Sequence, residues 1–214
     1  MSEEMTLTPE RCPVCTHTTL NVYRITEPNA SEALWFHCKC GVVFQQTKPK
    51  QVDITECELK PAKKIHGVRT YIRVIEEIAY GRKFVPVGDV VDEYLTERGW
   101  VEVKEENEIP DLIICENWLE RELEPLRALK EIYEALPTSG VVYIDTPNTD
   151  FIYKSTVQYF MHWRMNENYV LWNERSLQRE LERIGFKIVV SRCNASLRYQ
   201  KSDTVQIVAQ KPFF

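Results

Sequence analysis

The sequence lacks three features that would each point to a particular setting. No apolar run approaches the length of a membrane-spanning helix, so we expect no contact with a membrane. The first ten residues, MSEEMTLTPE, lack the apolar core of a secretory signal, which leads us to expect a cytoplasmic protein. Positive charge is not in excess either: 27 basic against 32 acidic residues give a formal charge of −5, which argues against general binding to nucleic acid.

Cysteine does not occur in the even number that a disulfide framework needs. The chain has seven cysteines, and without an export signal we expect reduced thiols or metal ligands. What remains is an ordinary globular composition, with 43% hydrophobic and 28% charged residues. A length of 214 residues is enough for one domain and a small appendage.

The clearest chemistry lies near the N-terminus. Cys12 and Cys15 form a Cys-x-x-Cys turn, which can direct two thiolates at one metal ion. A second turn, Cys38-Lys-Cys40-Gly, follows a strand-like run and can complete a tetrahedral site. The fourth ligand stays open: His37 has the usual spacing from Cys40, whereas Cys38 offers a softer thiolate. We favour Cys38.

Three strand-like runs surround these cysteines, at residues 20–26, 33–36 and 42–44. Together with the two turns they predict a zinc ribbon over residues 1–46, a module too small to fold without its ion. A site closed by four protein ligands leaves no position for a catalytic water, so the zinc is predicted to be structural. Residues 47–64 mix lysine with proline and lack periodicity, which predicts a linker.

The part of the chain whose secondary structure is predicted most clearly runs from residue 110 to residue 148. Its apolar runs Leu112–Cys115 and Val141–Ile144 predict two buried strands. Between them, Pro125 opens a helix whose apolar residues recur at helical spacing. Strand, helix and strand with short connections form a βαβ unit, which implies a parallel sheet.

Further helices and strands are predicted on both sides of this unit. A helix with Tyr71 and Ile75 on its apolar face precedes a strand-like run at Phe84–Asp89. Pro86 is expected to interrupt that strand, because proline removes a ladder donor. After the βαβ unit come another amphipathic helix and a terminal pair of strands. We therefore predict an α/β domain over residues 65–214.

These motifs resemble the class I S-adenosylmethionine-dependent methyltransferases, in a branch that carries an N-terminal zinc ribbon. The resemblance implies a Rossmann-like, doubly wound, mostly parallel sheet and methyl transfer to an acceptor that the sequence does not identify. Arg121 stands where many members have histidine. The resemblance rests on Asp111–Asn117, Leu119-Glu120-Arg121, Glu124-Pro125-Leu126 and Gly140–Asp145.

The resemblance also implies where S-adenosylmethionine would bind. In the family the first strand ends in a glycine-rich turn, which here holds only Gly88, followed by Asp89. Either Glu105 or Glu106, after the second strand, occupies the position of the acid that contacts the cofactor ribose, and we list Glu105 as the candidate. The loop after the next strand would supply the remaining contacts: Glu116, Asn117, Trp118 and Leu119.

The aromatic segment at residues 151–169 corresponds to the family's lid over the acceptor. His162 within it is a candidate catalytic base by that resemblance. The alternative interpretation is a surface histidine that is merely hydrogen-bonded, because no second titratable partner is evident.

Two departures from the family pattern support an alternative function. The turn at Gly88 lacks the other glycines, and residues 104–111 are too few for a crossover helix. One βα unit of the sheet is therefore predicted to be missing. The alternative is a catalytically inactive, degenerate methyltransferase fold with structural zinc: a pseudoenzyme that binds a small molecule or a protein, or belongs to a larger assembly.

Overall fold

The computed structural model describes residues 11–18, 21–26, 32–45, 67–88, 93–105, 108–152, 167–194 and 204–213. No helix in these ranges is long and apolar enough to span a membrane. The strands are β1 (Asn21–Thr26), β2 (Glu32–His37), β3 (Val43–Gln45), β4 (Lys83–Gly88), β5 (Val101–Glu102), β6 (Leu112–Glu116), β7 (Val141–Pro147), β8 (Val170–Leu171), β9 (Lys187–Asn194) and β10 (Thr204–Gln210). The helices are α1 (Val68–Ile78), α2 (Glu93–Glu97), α3 (Pro125–Ala135) and α4 (Glu174–Ile184), with 3₁₀ turns at Leu119–Arg121 and Thr149–Phe151.

The larger sheet has six strands in the order β5-β4-β6-β7-β10-β9. Strands β5, β4, β6 and β7 are parallel, and β10 runs antiparallel to both of its neighbours. This confirms the predicted α/β class with a mostly parallel sheet. In the described part of the chain no element stands between β5 and β6, in keeping with the predicted loss of one βα unit.

The prediction that Pro86 interrupts the first strand of this sheet is wrong. Strand β4 runs through Pro86 and pairs with β6 from Phe84 to Gly88. Alternate residues of a strand direct their backbone groups to opposite neighbours. The carbonyl of Phe84 accepts a 2.8 Å hydrogen bond from Val103 on the β5 side, so the nitrogen of Pro86 faces that side too. Because β5 ends at Glu102, no ladder bond is lost there.

Helices cover both faces of the sheet. On one side, called the α1 face, Tyr71 and Ile75 of α1 share a core with Ile114 of β6. On the other, called the α3 face, residues of α3 and α4 pack with Ile113 and Val142. The two faces follow from the alternation of side chains along each strand. Helices on both faces are what a parallel sheet requires, because both of its surfaces are apolar.

Two side chains stabilise the ends of α3. Pro125 occupies the first turn of α3, where its missing donor is not needed. At the other end of α3, the Lys211 ammonium donates to the carbonyls of Tyr133 (2.9 Å) and Leu136 (2.7 Å). A cation at a helix C-terminus is favourable both as a hydrogen-bond donor and toward the helix dipole.

The ribbon packs on the α3 face of the sheet. Phe36 and Phe44 of the ribbon belong to the same core as Cys115 and Leu119 of the larger domain. Strand β8, which the sequence did not predict, pairs with β3 and completes a four-stranded ribbon sheet in the order β1-β2-β3-β8. The ribbon and the α/β part therefore share a core. The predicted linker at residues 47–64 lies outside the described residues.

Candidate functional site

Four cysteine thiols meet where the two turns of the ribbon face each other. The Sγ atoms of Cys12, Cys15, Cys38 and Cys40 all lie within 4.8 Å of one another. The Sγ atoms of Cys15 and Cys38 are 3.2 Å apart, and those of Cys12 and Cys40 are 3.7 Å apart. A tetrahedron with zinc–sulfur bonds of about 2.3 Å has sulfur–sulfur edges of about 3.8 Å. The cluster therefore has the dimensions of a tetrahedral metal site.

Backbone hydrogen bonds hold the two turns in shape. Thr16 donates its amide to the carbonyl of Cys12 (2.9 Å), and Gly41 donates to the carbonyl of Cys38 (2.9 Å). Gly41 adopts φ +92°, and a Cβ there would lie 2.2 Å from the Asn173 side chain. Only glycine fits this position, because it combines a left-handed conformation with close contact to the start of α4.

The thiols of the cluster shift one another's protonation in both directions, and burial raises the pKa of Cys38 to about 11. A hydrogen bond from Cys12 lowers the pKa of Cys40 to about 5, and the same bond raises the pKa of Cys12. Thiolate is the form of cysteine that binds metals. The imidazole of His37 is not a member of the thiol group and stacks on Tyr23 with ring centroids 6.2 Å apart. Burial lowers the pKa of His37.

A second cluster of polar groups lies at the carboxyl edge of the larger sheet. Register places Gly88 of β4 beside Glu116 of β6, and Glu116 beside Asp145 of β7. The chain passes from β4 to β5 on one side and then returns to β6 on the other side of β4. The order of strands therefore reverses between β4 and β6, and open α/β sheets bind ligands at such a switch point.

Glu116 ends β6 with its carboxylate buried on the α1 face. Its Oε1 accepts a 3.2 Å hydrogen bond from the amide of Val68, the first residue of α1. Asn117 follows in a left-handed conformation, with φ +50°, and donates its amide to the carbonyl of Asp145 (2.9 Å). The turn after β6 is thereby fixed to both β7 and α1.

Trp118 and Leu119 turn away from this carboxylate. Leu119 is buried in the core that the ribbon shares, on the side of the sheet away from the Glu116 carboxylate. Trp118 is half-buried and packs against the same core. Of the predicted loop, only Glu116 and Asn117 stand at the sheet edge itself.

Asp145 is the centre of a hydrogen-bond network on the α1 face. Its Oδ2 accepts hydrogen bonds from Gln206 (2.7 Å) and from the Tyr143 hydroxyl (3.3 Å), while Tyr71 donates to Gln206 (3.0 Å). Its Oδ1 is buried without a hydrogen-bond partner among the described residues. Burial raises the pKa of Asp145 to about 6. A Cβ on Gly67 would lie 2.3 Å from the Tyr143 hydroxyl, so α1 begins in tight contact with this network.

Glu120 is a second buried acid at this edge. Its Oε2 accepts a 3.0 Å hydrogen bond from Thr146, and its backbone carbonyl accepts from Tyr169 at 2.6 Å. Burial raises the pKa of Glu120 to about 7. Neither Asp145 nor Glu120 was predicted as a site residue. The sequence feature that could have identified them is an acidic residue directly after an apolar strand, as at Asp145, or in the loop that follows such a strand, as at Glu120.

Glu105 lies on the α3 face of the sheet, whereas the Glu116 carboxylate lies on the α1 face. Glu105 lines an open groove on the α3 face with Val85 and Pro110. Neither Gly88 nor the loop at residues 116–119 lines this groove. The other two predicted site residues, Asp89 and His162, lie outside the described residues, and their roles stay predictions.

Solved structures with a similar fold include S-adenosylmethionine-dependent methyltransferases from Methanosarcina mazei and Clostridium acetobutylicum ATCC 824. The first is 12% identical, with a TM-score of 0.45 over 66% of this chain and 98% of its own. The second is 10% identical, with a TM-score of 0.45 over 67% of this chain and 89% of its own. Among curated proteins, none matches the chain.

The sequence itself matches a family profile. The family profile described as a methyltransferase domain matches residues 38–191, well over half of the chain. This range starts at the second cysteine turn and includes the whole sheet edge described above. The chain therefore belongs to the methyltransferase domain family and is a methyltransferase-like protein.

Proposed function

We propose that this protein transfers a methyl group from S-adenosylmethionine, which binds at the switch point between β4 and β6. The observation that carries the proposal is the pairing of Gly88 with Glu116 at that point. A glycine lets a ligand approach the end of β4, and a carboxylate lies directly beside it. The other half of the proposal is a structural zinc ion in the ribbon.

The residues at the sheet edge fit the chemistry of this cofactor. S-adenosylmethionine carries a positively charged sulfonium and an ammonium group, and both suit an edge rich in carboxylates. Glu116 would hold the ammonium group, and Asp145 adds a second carboxylate, whose Oδ1 has no hydrogen-bond partner among the described residues. When bound, the cofactor supplies an electrophilic methyl carbon. The chain's own part is to hold donor and acceptor in line.

The four cysteines fit zinc on size and chemistry. Their thiolates are soft ligands, and the sulfur–sulfur distance of 3.7 Å between Cys12 and Cys40 matches the edge of a zinc tetrahedron. Four protein ligands close the site, so we infer that the ion stabilises the ribbon and does not take part in the reaction.

Binding of the cofactor is tested by titration calorimetry with S-adenosylmethionine and S-adenosylhomocysteine. We expect Kd values in the micromolar range, about −8 kcal/mol, for the unmodified protein. Glu116→Gln should weaken binding of S-adenosylmethionine about tenfold, because it removes one charge and keeps an oxygen for the amide of Val68. The matched control is Glu134→Gln on the exposed side of α3, which should bind like the unmodified protein.

The absence of any heat from folded, zinc-loaded protein would refute the proposal. The chain would then be a degenerate methyltransferase fold that has lost its cofactor. Equal affinity of Glu116→Gln and the unmodified protein would show that binding occurs elsewhere. A Gly88→Trp variant provides a further check, because its side chain should fill the space at the end of β4 and abolish binding.

Zinc is tested by metal analysis of the purified protein and of two variants. We expect one equivalent of zinc, which Cys38→Ser should lose and His37→Ala should retain, because His37 is not a member of the thiol cluster. Retention of zinc in Cys38→Ser, with loss in His37→Ala, would assign the fourth ligand to the histidine instead.

A further inference from the structure

On the α3 face of the sheet, strand β4 is only partly covered. Side chains of β4 on this face, Val85 and Val87, are only half-buried, whereas Phe84 on the α1 face is 3% exposed. Helices α3 and α4 cover the strands from β6 to β9 in a single core. Parallel strands are normally covered on both faces, because both surfaces are apolar. The partly covered strip lies where a crossover helix of the missing βα unit would otherwise pack.

A groove of about 550 Å³ lies over this strip. Val85 and Ile113 form its apolar floor, and Ala135 at the end of α3 forms one wall. The opposite wall is the connection from β5 to β6, through Val103 and Pro110. The groove is thus bounded by a helix on one side and a loop on the other, with an apolar base between them. A helix laid in this groove would turn its apolar face toward the floor.

The rim of the groove carries more negative than positive charge. Glu105 and Glu108 line it together with a single cation, Lys104. Glu108 also lies 3.6 Å from the ammonium of Lys83, a pair that is exposed on both sides and therefore weak. An acidic rim over an apolar floor selects a helix whose polar flanks are basic.

We propose that this groove binds an amphipathic helix of a partner protein. The apolar stripe of that helix would cover Val85 and Ile113, and its lysines or arginines would face Glu105 and Glu108. The partner would supply in trans the cover that the missing βα unit supplies in a complete sheet. This interaction is separate from cofactor binding, because the groove contains neither Gly88 nor Glu116.

The experiment is a selection from a displayed library of helical peptides of about 14 residues, or four turns. Each peptide has a fixed leucine stripe and randomised flanking positions. The full-length, zinc-loaded protein serves as bait. Selected peptides are labelled and their Kd values are measured by fluorescence anisotropy on three variants: Val85→Arg, the double variant Glu105→Lys with Glu108→Lys, and the control Glu93→Lys on α2, an exposed residue of the opposite face.

We expect the selected peptides to be enriched in lysine and arginine beside the stripe. Their binding should weaken at least about tenfold in Val85→Arg and in the double variant, and it should be unchanged in Glu93→Lys. A second selection on the double variant should enrich acidic flanks instead. The change from basic to acidic flanks does not depend on Val85, so the second selection still tests the proposal if Val85→Arg fails to fold.

Three results would overturn the proposal. The first is a lack of enrichment from the library. The second is enrichment of peptides whose flanks are acidic, or whose affinity is unaffected by both groove variants. The third is a dimer in analytical ultracentrifugation that dissociates in the double variant, because a second copy of this chain would then occupy the groove.

Discussion

Replacing Phe44 with alanine tests whether the ribbon and the α/β domain fold as one unit. Phe44 is 2% exposed, stacks on Phe36 with ring centroids 5.7 Å apart, and belongs to the core shared with the sheet. Truncation of a buried phenylalanine to alanine costs about 3–5 kcal/mol, and a site packed from both sides collapses little. We therefore expect a loss near the middle of that range, about 4 kcal/mol, in the free energy of unfolding of the whole protein.

The assay follows urea unfolding with two probes. Far-UV circular dichroism reports the whole chain. Reaction with a thiol reagent reports the four ribbon cysteines when it is measured in a background in which the other three cysteines, Cys57, Cys115 and Cys193, are replaced by alanine. A shared core predicts coincident transitions, both shifted by Phe44→Ala. The control is Val22→Ala in β1 of the same ribbon, which is 42% exposed and should cost less than about 1 kcal/mol.

The reasoning would be refuted if the ribbon thiols reacted at urea concentrations that leave the dichroism unchanged. It would also be refuted if Phe44→Ala shifted only the thiol transition. Either result would show that the ribbon unfolds alone and that its contacts with Leu119 and Cys115 contribute little.

Three further predictions concern buried polar groups and a close contact. Burial raises the pKa of Glu120 from 4.5 to about 7, so the native state binds a proton more readily and stability falls as pH rises between these values. As pH rises from 4.5 to 8, the free energy of unfolding of Glu120→Gln, measured in urea, should therefore increase relative to that of the unmodified protein by up to about 3 kcal/mol. The same pH dependence in both proteins would show that ionisation of Glu120 does not destabilise the native state. Lys211→Met should lower the free energy of unfolding by about 1–2 kcal/mol, because it leaves two carbonyls at the end of α3 without a donor; an unchanged urea midpoint would contradict this. Gly67→Val should displace the start of α1 from Tyr143 and cost about 1–3 kcal/mol, seen as a lower thermal midpoint, and a midpoint equal to that of the unmodified protein would mean that α1 moves freely.

The fold class could be predicted because its signals are local. The apolar runs of β6 and β7, the proline at the start of α3 and the short distance from β5 to β6 each leave a pattern within a dozen residues. The cysteine turns are equally local, and their spacing anticipates the thiol cluster that the structure brings together.

Other features depend on which element lies beside which, and the sequence does not record that. Pro86 is harmless only because β5 ends before it, a fact that becomes visible when the strands are ordered. Strand β8 has two residues and no pattern of its own, because pairing with β3 creates it. Glu105 follows β5 as the resemblance suggests, yet the connection carries it to the α3 face, where it lines the groove with Val85.

The pairing of β3 with β8 also sets the order in which the chain can be completed during synthesis. The side chain of Gln45 donates to the carbonyl of Asn168, and these residues are 123 positions apart. Until residues near 171 have left the ribosome, β3 has an unpaired edge, and an unpaired edge can form non-native pairs with other strands. We therefore expect the ribbon to be among the last parts of the fold to be completed, since contacts between residues this far apart in sequence form slowly. Early zinc binding would protect its thiols during that interval.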